Sequence, residues 1–191
     1  MGIKILKLVH ALDMSFENVK NYYDSFEDKW HDLNCYAITL VAQGSQLYFD
    51  YINTYNENLY YLIDDENSNY IIGYGSIKDS RILDYHKEYL NVGNIGYGIR
   101  PIERKKGYGS KLLNLLLLEC EKFGMNEVCV SCLKENIASS NVIKNNKGIL
   151  EKEFFDEDTG KYGLKYWIKL HPKFSARTKR LVKIIRTEYG L

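Results

Sequence analysis

Between Gly98 and Ser110 the chain reads Gly-Ile-Arg-Pro-Ile-Glu-Arg-Lys-Lys-Gly-Tyr-Gly-Ser, set between a strand-like run and a long apolar helical run. Gly107 and Gly109 let the backbone turn tightly and present consecutive N–H groups, and the following helix adds the positive end of its dipole. Arg104, Lys105 and Lys106 place three charges beside them. These residue types in this order make an anion site, and a pyrophosphate suits it. The stretch is not a Walker loop, because the G-x-x-x-x-G-K-[ST] spacing fails. Nor is it the dinucleotide fingerprint, whose third glycine would stand at Leu112. A plain tight turn with solvated lysines has the same local look, so the surrounding elements must decide.

The remaining reactive side chains are sparse. The four cysteines are Cys35, Cys120, Cys129 and Cys132, and Cys129-Val-Ser-Cys132 has the CxxC spacing. It lies in an apolar strand-like run, where positions three apart point to opposite faces. No histidine stands nearby to complete a metal set, so buried free thiols and no metal are expected. The 191 residues are 45% hydrophobic and 27% charged, the usage of a globular chain with a real core. The net charge of +1 hides an asymmetry. Residues 171–191 hold six of the 26 Lys/Arg and one of the 25 Asp/Glu, so the tail is +5 and the body −4. A strongly basic nucleic-acid-binding body is excluded, and nucleic acid stays open only for the tail. No run approaches the ~20 apolar residues of a membrane span. Lys4 and Lys7 interrupt Met1–Val9, which does not read as a secretory leader. A reduced, cytoplasmic protein is expected.

The elements that must position the basic loop follow from periodicity. Ile3–Val9 reads as a first strand, and Ser15 as an N-cap before Phe16, Val19, Tyr23, Phe26 and Trp30 on one helix face. A second helix carries Tyr48, Tyr51, Ile52 and Tyr55. Leu59–Ile63 and Tyr70–Ile77 form a hairpin across Asp64–Asn69, and Asp79–Val92 reads as an irregular connection. Asn94–Arg100 is a strand whose Gly96 and Gly98 flank Tyr97, a pattern that marks a bulge or a close approach by a ligand. Ser110–Phe123 is a buried helix stopped by Gly124, Glu127–Leu133 a buried strand, and Ala138–Asn146 a short helix closed by Gly148. Ile149–Phe155 and Gly163–Leu170 form a second hairpin. The expected fold class is α/β in the α+β sense, as one domain over residues 1–170 with a basic amphipathic helical extension over 171–191.

This arrangement resembles the GNAT superfamily of N-acetyltransferases, whose motif runs strand, [Q/R]-x-x-G-x-[G/A], helix. Here Arg104-x-x-Gly107-x-Gly109 is intact and preceded by Pro101. Asn136-Ile-Ala-Ser139-Ser-Asn-Val-Ile143-Lys-Asn-Asn-Lys-Gly148, after a strand, is similar to the form found in Rim-type ribosomal-protein acetyltransferases and their bacterial relatives. The run Asn94-Ile-Gly-Tyr-Gly-Ile-Arg-Pro is similar to a group of uncharacterised bacterial acetyltransferases. The closing hairpin through Tyr166-Trp167-Ile168 completes the pattern. The resemblance is specific over residues 59–170, architectural over 1–58 and absent from 171–191. It implies a central mixed, mostly antiparallel sheet of six or seven strands, splayed between the fourth and fifth and flanked by about four helices.

The resemblance also implies acetyl-CoA as cosubstrate and an amine acceptor, either a small molecule or a protein N-terminus. Backbone N–H groups from Lys105, Lys106, Gly107, Tyr108, Gly109 and Ser110, beside Arg104, would take the pyrophosphate. The backbone at Tyr97, Gly98 and Ile99 would pair with the pantetheine, Asn136 would bond it, and an N–H of Gly96–Gly98 would polarise the thioester carbonyl. The family's usual base position falls near Gly93–Asn94, without a carboxylate, and its usual tyrosine falls at Ile143. Ser139 is then either the acid for the leaving thiolate or a helix N-cap. Glu153, Glu88 and His86 are base candidates beside a water chain. Twelve of the 17 tyrosines fall in residues 22–89, where they either line an acceptor pocket or fill a core. A silent acyl-CoA-binding module is the alternative reading. The tail docks on the body or a second subunit, or meets an acidic partner; a homodimer is the expected assembly if there is one.

Overall fold

The computed structural model describes residues 5–26, 36–55, 58–78, 93–157 and 160–171. Trp30, Cys35, the connection 79–92 with His86 and Glu88, and the basic tail beyond 171 lie outside the described residues. Strand β1 (Leu6–His10) is followed by a short 3-10 turn and helix α1 (Phe16–Asp24). Ser15 caps α1 by accepting from Asn18 N at 3.3 Å. Helices α2 (Tyr36–Gln43) and α3 (Ser45–Tyr55) come next, then the hairpin β2 (Asn58–Asp64) and β3 (Asn67–Ile77) and strand β4 (Ile95–Ile99). A 3-10 turn at Pro101–Glu103 leads to α4 (Tyr108–Lys122), β5 (Glu127–Leu133), α5 (Ile137–Asn145), β6 (Ile149–Asp156) and β7 (Lys161–Lys169).

The order matches the expected one except for α2. Its Tyr-Ala-Ile-Thr-Leu-Val-Ala-Gln sequence holds three β-branched residues, which carry no helical signal of their own. Leu40 and Val41 are buried in the core beside α1 and α3, so tertiary packing rather than propensity holds this helix.

The strands form two antiparallel sheets, β1-β2-β3-β4 and β5-β7-β6. The first carries an apolar cluster on each face. Leu59, Tyr61, Ile63 and Ile71 face α1–α3, while Leu62, Ile72 and Ile77 face α4. Glycines let α4 lie close. A Cβ at Gly75 would stand 2.4 Å from Leu116 Cδ1, and one at Gly73 would stand 3.2 Å from Leu112.

Among the described residues, the backbones of the two sheets meet at one point. Gly93 bridges Val130, Asn94 N donates to Cys129 O at 2.7 Å, and Cys129 N donates to Asn94 Oδ1 at 2.7 Å. Asn94 Nδ2 donates in turn to Lys78 O at 3.1 Å. Among the described residues no further ladder joins β4 to β5, so the strands part beyond Asn94 and leave a cleft with two open edges.

Gly93 sits at φ 83°, and a Cβ there would stand 2.7 Å from Cys129 O. The strained conformation alone costs about 1–3 kcal/mol for alanine, and the clash adds to it. Gly124, at φ 79° with nothing within 4 Å, carries only the conformational part. Urea unfolding should therefore show Gly93→Ala clearly more destabilised than Gly124→Ala. Equal midpoint shifts would mean the sheets do not depend on this contact.

Candidate active site

One wall of the cleft is the outer edge of β4. Arg100 N donates to Ile72 O at 2.8 Å and Lys78 N to Asn94 O at 2.7 Å, which sets the phase of the β3–β4 ladder. In an antiparallel pair the backbone groups of alternate residues face the partner. Gly96 and Gly98 thus turn theirs to β3, and Tyr97 and Ile99 turn theirs to the cleft. Gly98 O takes a further bond from Tyr22 Oη at 3.3 Å. The expected backbone contacts separate accordingly: Tyr97 and the N–H of Ile99 have edges to offer, while those of Gly98 are engaged and Ile99 O takes a bond from Arg104 Nε.

The loop expected to take the pyrophosphate leads from the end of β4 into α4. Lys105 and Gly107 adopt left-handed conformations, with φ 63° and 81°, the kind of turn from which backbone nests are built. The helical ladder of α4 starts with Lys111 N donating to Gly107 O at 3.3 Å, so the N–H groups of Tyr108, Gly109 and Ser110 precede it. Gly109 packs against α5, where a Cβ would come 3.1 Å from Val142 Cγ2. The three cations differ. Arg104 folds back, donating from Nε to Ile99 O at 3.2 Å and lying 5.8 Å from the Phe26 ring centroid. Lys106 pairs with Glu103 at 3.0 Å. Lys105 is exposed and makes no ion pair with a described residue.

At the inner end, three polar side chains meet across the gap. Tyr97 Oη lies 2.9 Å from Ser139 Oγ and 3.4 Å from Ser139 O. Burial raises the thiol of Cys132 on β5, with the nearby Ser139 hydroxyl acting against it. Burial likewise pushes the Tyr97 phenol up to about 12, with the Ser139 bond acting weakly against it. Asn136, not Ser139, caps α5: its Oδ1 accepts from Ser139 N at 3.0 Å. The capping alternative for Ser139 is thereby excluded, and its hydroxyl is turned to Tyr97.

Glu153 is not brought to this cluster. It lies on the exposed strand β6, separated from β5 by β7, and its carboxylate pairs with Lys134 at 2.8 Å. The tyrosines divide in favour of a core. Tyr22, Tyr23, Tyr48 and Tyr61 are at most 1% exposed, and their hydroxyls form contacts of 2.8 Å (Tyr48–Tyr61) and 3.4 Å (Tyr61–Tyr23). Arg100 is buried with them, 4.6 Å from the Tyr70 ring centroid and 5.2 Å from that of Tyr22. Sequence reasoning missed two things. Asn94 is a structural staple rather than an empty base position, and the Tyr97 side chain, beyond its backbone, belongs to the cluster. Cys132 packs with Val128, Val130 and Ile143 of α5, and strand alternation was a signal that could have found it. Cys120, Cys129 and Cys132 are free thiols, and no His/Cys/Asp/Glu group among the described residues is arranged for a metal.

The sequence profile of the acetyltransferase (GNAT) domain matches residues 19–148. The chain belongs to the GNAT acetyltransferase family. Solved structures agree in fold. An N-acetyltransferase of Staphylococcus aureus has a TM-score of 0.62 at 14% identity, covering 87% of this chain and 99% of the other. A candidate acetyltransferase of Salmonella typhimurium, solved with its cofactor acetyl-CoA, has a TM-score of 0.57 at 13% identity, covering 89% and 96%. A spermidine N-acetyltransferase chimera from Vibrio cholerae and hSSAT has a TM-score of 0.60 at 13% identity, covering 86% and 96%. No curated protein matches the chain in sequence. No helix among the described residues is long and apolar enough to cross a membrane.

A phenol whose folded pKa is raised stabilises the fold below its unfolded value near 10, and that contribution is lost as pH rises toward 12. A tenfold change in acidity between the two states is worth about 1.4 kcal/mol. Unfolding free energies measured from pH 9 to 12 should fall less steeply for Tyr97→Phe than for wild type. Parallel curves would show that Tyr97 is not held un-ionised.

Proposed function

We propose that this GNAT protein transfers the acetyl group of acetyl-CoA to a primary amine, of a small molecule or a protein N-terminus, by direct attack in a ternary complex. The observation that carries this reading is one juxtaposition: an N–H-rich helix start at Gly107–Ser110 beside an open strand edge at Tyr97 and Ile99. The first suits a pyrophosphate and the second an extended chain of amides. The left-handed backbone at Lys105 and Gly107 supports the fit, since such a turn aims N–H groups at a common anion. The Salmonella relative solved with acetyl-CoA and the Vibrio chimera named for spermidine acetylation make a CoA thioester and an amine the natural pair to test.

When bound, acetyl-CoA supplies an acetyl group activated as a thioester. In this reading Lys105, Lys106, Gly107, Tyr108, Gly109 and Ser110 hold the pyrophosphate through their N–H groups, with the Lys105 ammonium adding charge. Arg104 shapes the loop through Ile99 O. Tyr97 and Ile99 receive the pantetheine, and an N–H aimed at the thioester carbonyl is worth ~3–4 kcal/mol. Asn136 keeps its amide nitrogen for the pantetheine while its oxygen caps α5. Ser139 gives the leaving sulfur its proton. An amine of pKa about 10.4 arrives protonated. With Glu153 held by Lys134, solvent is the better supported route for that proton.

One observation favours the rival reading, a silent CoA-binding module: Asn94 spends its side chain on the sheet junction where a base is usual in the resembling enzymes. Calorimetry with acetyl-CoA, followed by a thiol-release screen over polyamines, amino-sugars and peptide N-termini, separates the two. Turnover with at least one amine is expected. Tight binding without turnover across the panel would establish the silent module, and preference for ATP over CoA would remove both. Lys105→Ala should weaken CoA about two- to fivefold, as befits one exposed charge, with the difference shrinking at high salt.

A further inference from the structure

We propose that Tyr97 is the positioning residue for the leaving-group proton: its phenol reaches from β4 to α5 and orients the Ser139 hydroxyl toward the departing sulfur. The inference rests on the reading that Ser139 serves the leaving group.

A serine hydroxyl has one hydrogen and two lone pairs, so its usefulness as a donor depends on where the hydrogen points. Ser139 Oγ has the Tyr97 phenol 2.9 Å away, and the Cys132 thiol is among its neighbours. When the phenol donates to Ser139 Oγ, the serine hydrogen is left for another acceptor, and a sulfur at the cleft is one it can serve. An un-ionised phenol carries a hydrogen to donate, and 2.9 Å is donor distance to Ser139 Oγ. The serine itself is fixed from below, because Asn136 Oδ1 holds its N–H at 3.0 Å. Tyr97 is fixed as well, on a strand paired along its length with β3.

The step balances. The amine nitrogen bonds the carbonyl carbon and the C–S bond breaks, its electron pair leaving on sulfur. Ser139 passes its proton to that sulfur, and the proton shed by the new amide nitrogen returns through solvent to Ser139. Tyr97 donates a hydrogen bond throughout and transfers no proton.

The test is a double-mutant cycle on thiol release with Tyr97→Phe, Ser139→Ala and the double variant. Tyr97→Phe should lower kcat about tenfold, the size of one well-made hydrogen bond, with KM for acetyl-CoA within twofold. The double variant should be no slower than Ser139→Ala alone. Multiplying losses, an unchanged kcat, or a loss confined to KM would each overturn the role assigned to Tyr97. Full activity of Ser139→Ala would instead remove the underlying reading. A binding measurement covers an enzyme whose amine is not in the panel: CoA and desulfo-CoA titrated into wild type and Tyr97→Phe. The preference for the sulfur-bearing ligand should shrink in the variant, and equal losses for both ligands would count against the proposal.

Discussion

The architecture hangs on a junction two residues long. Gly93 brings the chain against β5 in a conformation and at a distance that exclude a Cβ, and Asn94 then bonds the backbone on both sides. Its amide oxygen and nitrogen act as an additional peptide unit, taking the Cys129 N–H and donating to Lys78 O at the point where the sheets separate. Buried backbone groups must find partners, and here a side chain meets the requirement. With the junction in place, the strands can diverge without leaving the seam unpaired. The open edges of Tyr97 and Ile99 follow from that divergence, and so does the gap that Tyr97 crosses to reach α5.

The two faces of the first sheet divide the labour. On one, α4 sits low over Gly73 and Gly75, so the sheet fixes how far its N-terminus stands from the strand edge. On the other, α1–α3 are tied down by aromatic packing and a chain of tyrosine hydroxyls. The Arg104–Gly109 loop therefore owes its position to helix–sheet packing more than to its own contacts. Its charges are mostly committed locally, Arg104 to Ile99 O and Lys106 to Glu103. The backbone and Lys105 are what the loop has left to present.

What could be read from the residues was what depends on short spacing. The Arg104–Gly109 motif, the buried helix after it, both hairpins and the alternation of β5 are local patterns, and they reappear with boundaries a few residues apart. Helix α2 was not legible, because Ile, Thr and Val say nothing helical and only contact with α1 and α3 holds it. The roles of Asn94, Asn136 and Ser139 were not legible either. Asparagine and serine suit caps, turns and ladders alike, and the choice is made by neighbours 35 residues away for Asn94 and three away for Asn136. Tyr97 is the sharpest case. Its glycine neighbours drew notice to the backbone, while the side chain's partner lies 42 residues on, across the gap.

A seam closed at one end behaves as a lever. From Asn94 to Ile99 is five residues, about 17 Å of extended strand. A rotation of about 5° between the sheets at Gly93 thus displaces the far end of β4 by roughly 1.5 Å, half a hydrogen-bond length, while the bonds at the pivot barely change. Small rotations at the pivot are accordingly read out as changes in the width of the gap, and the 2.9 Å span between Tyr97 and Ser139 is the gauge that registers them.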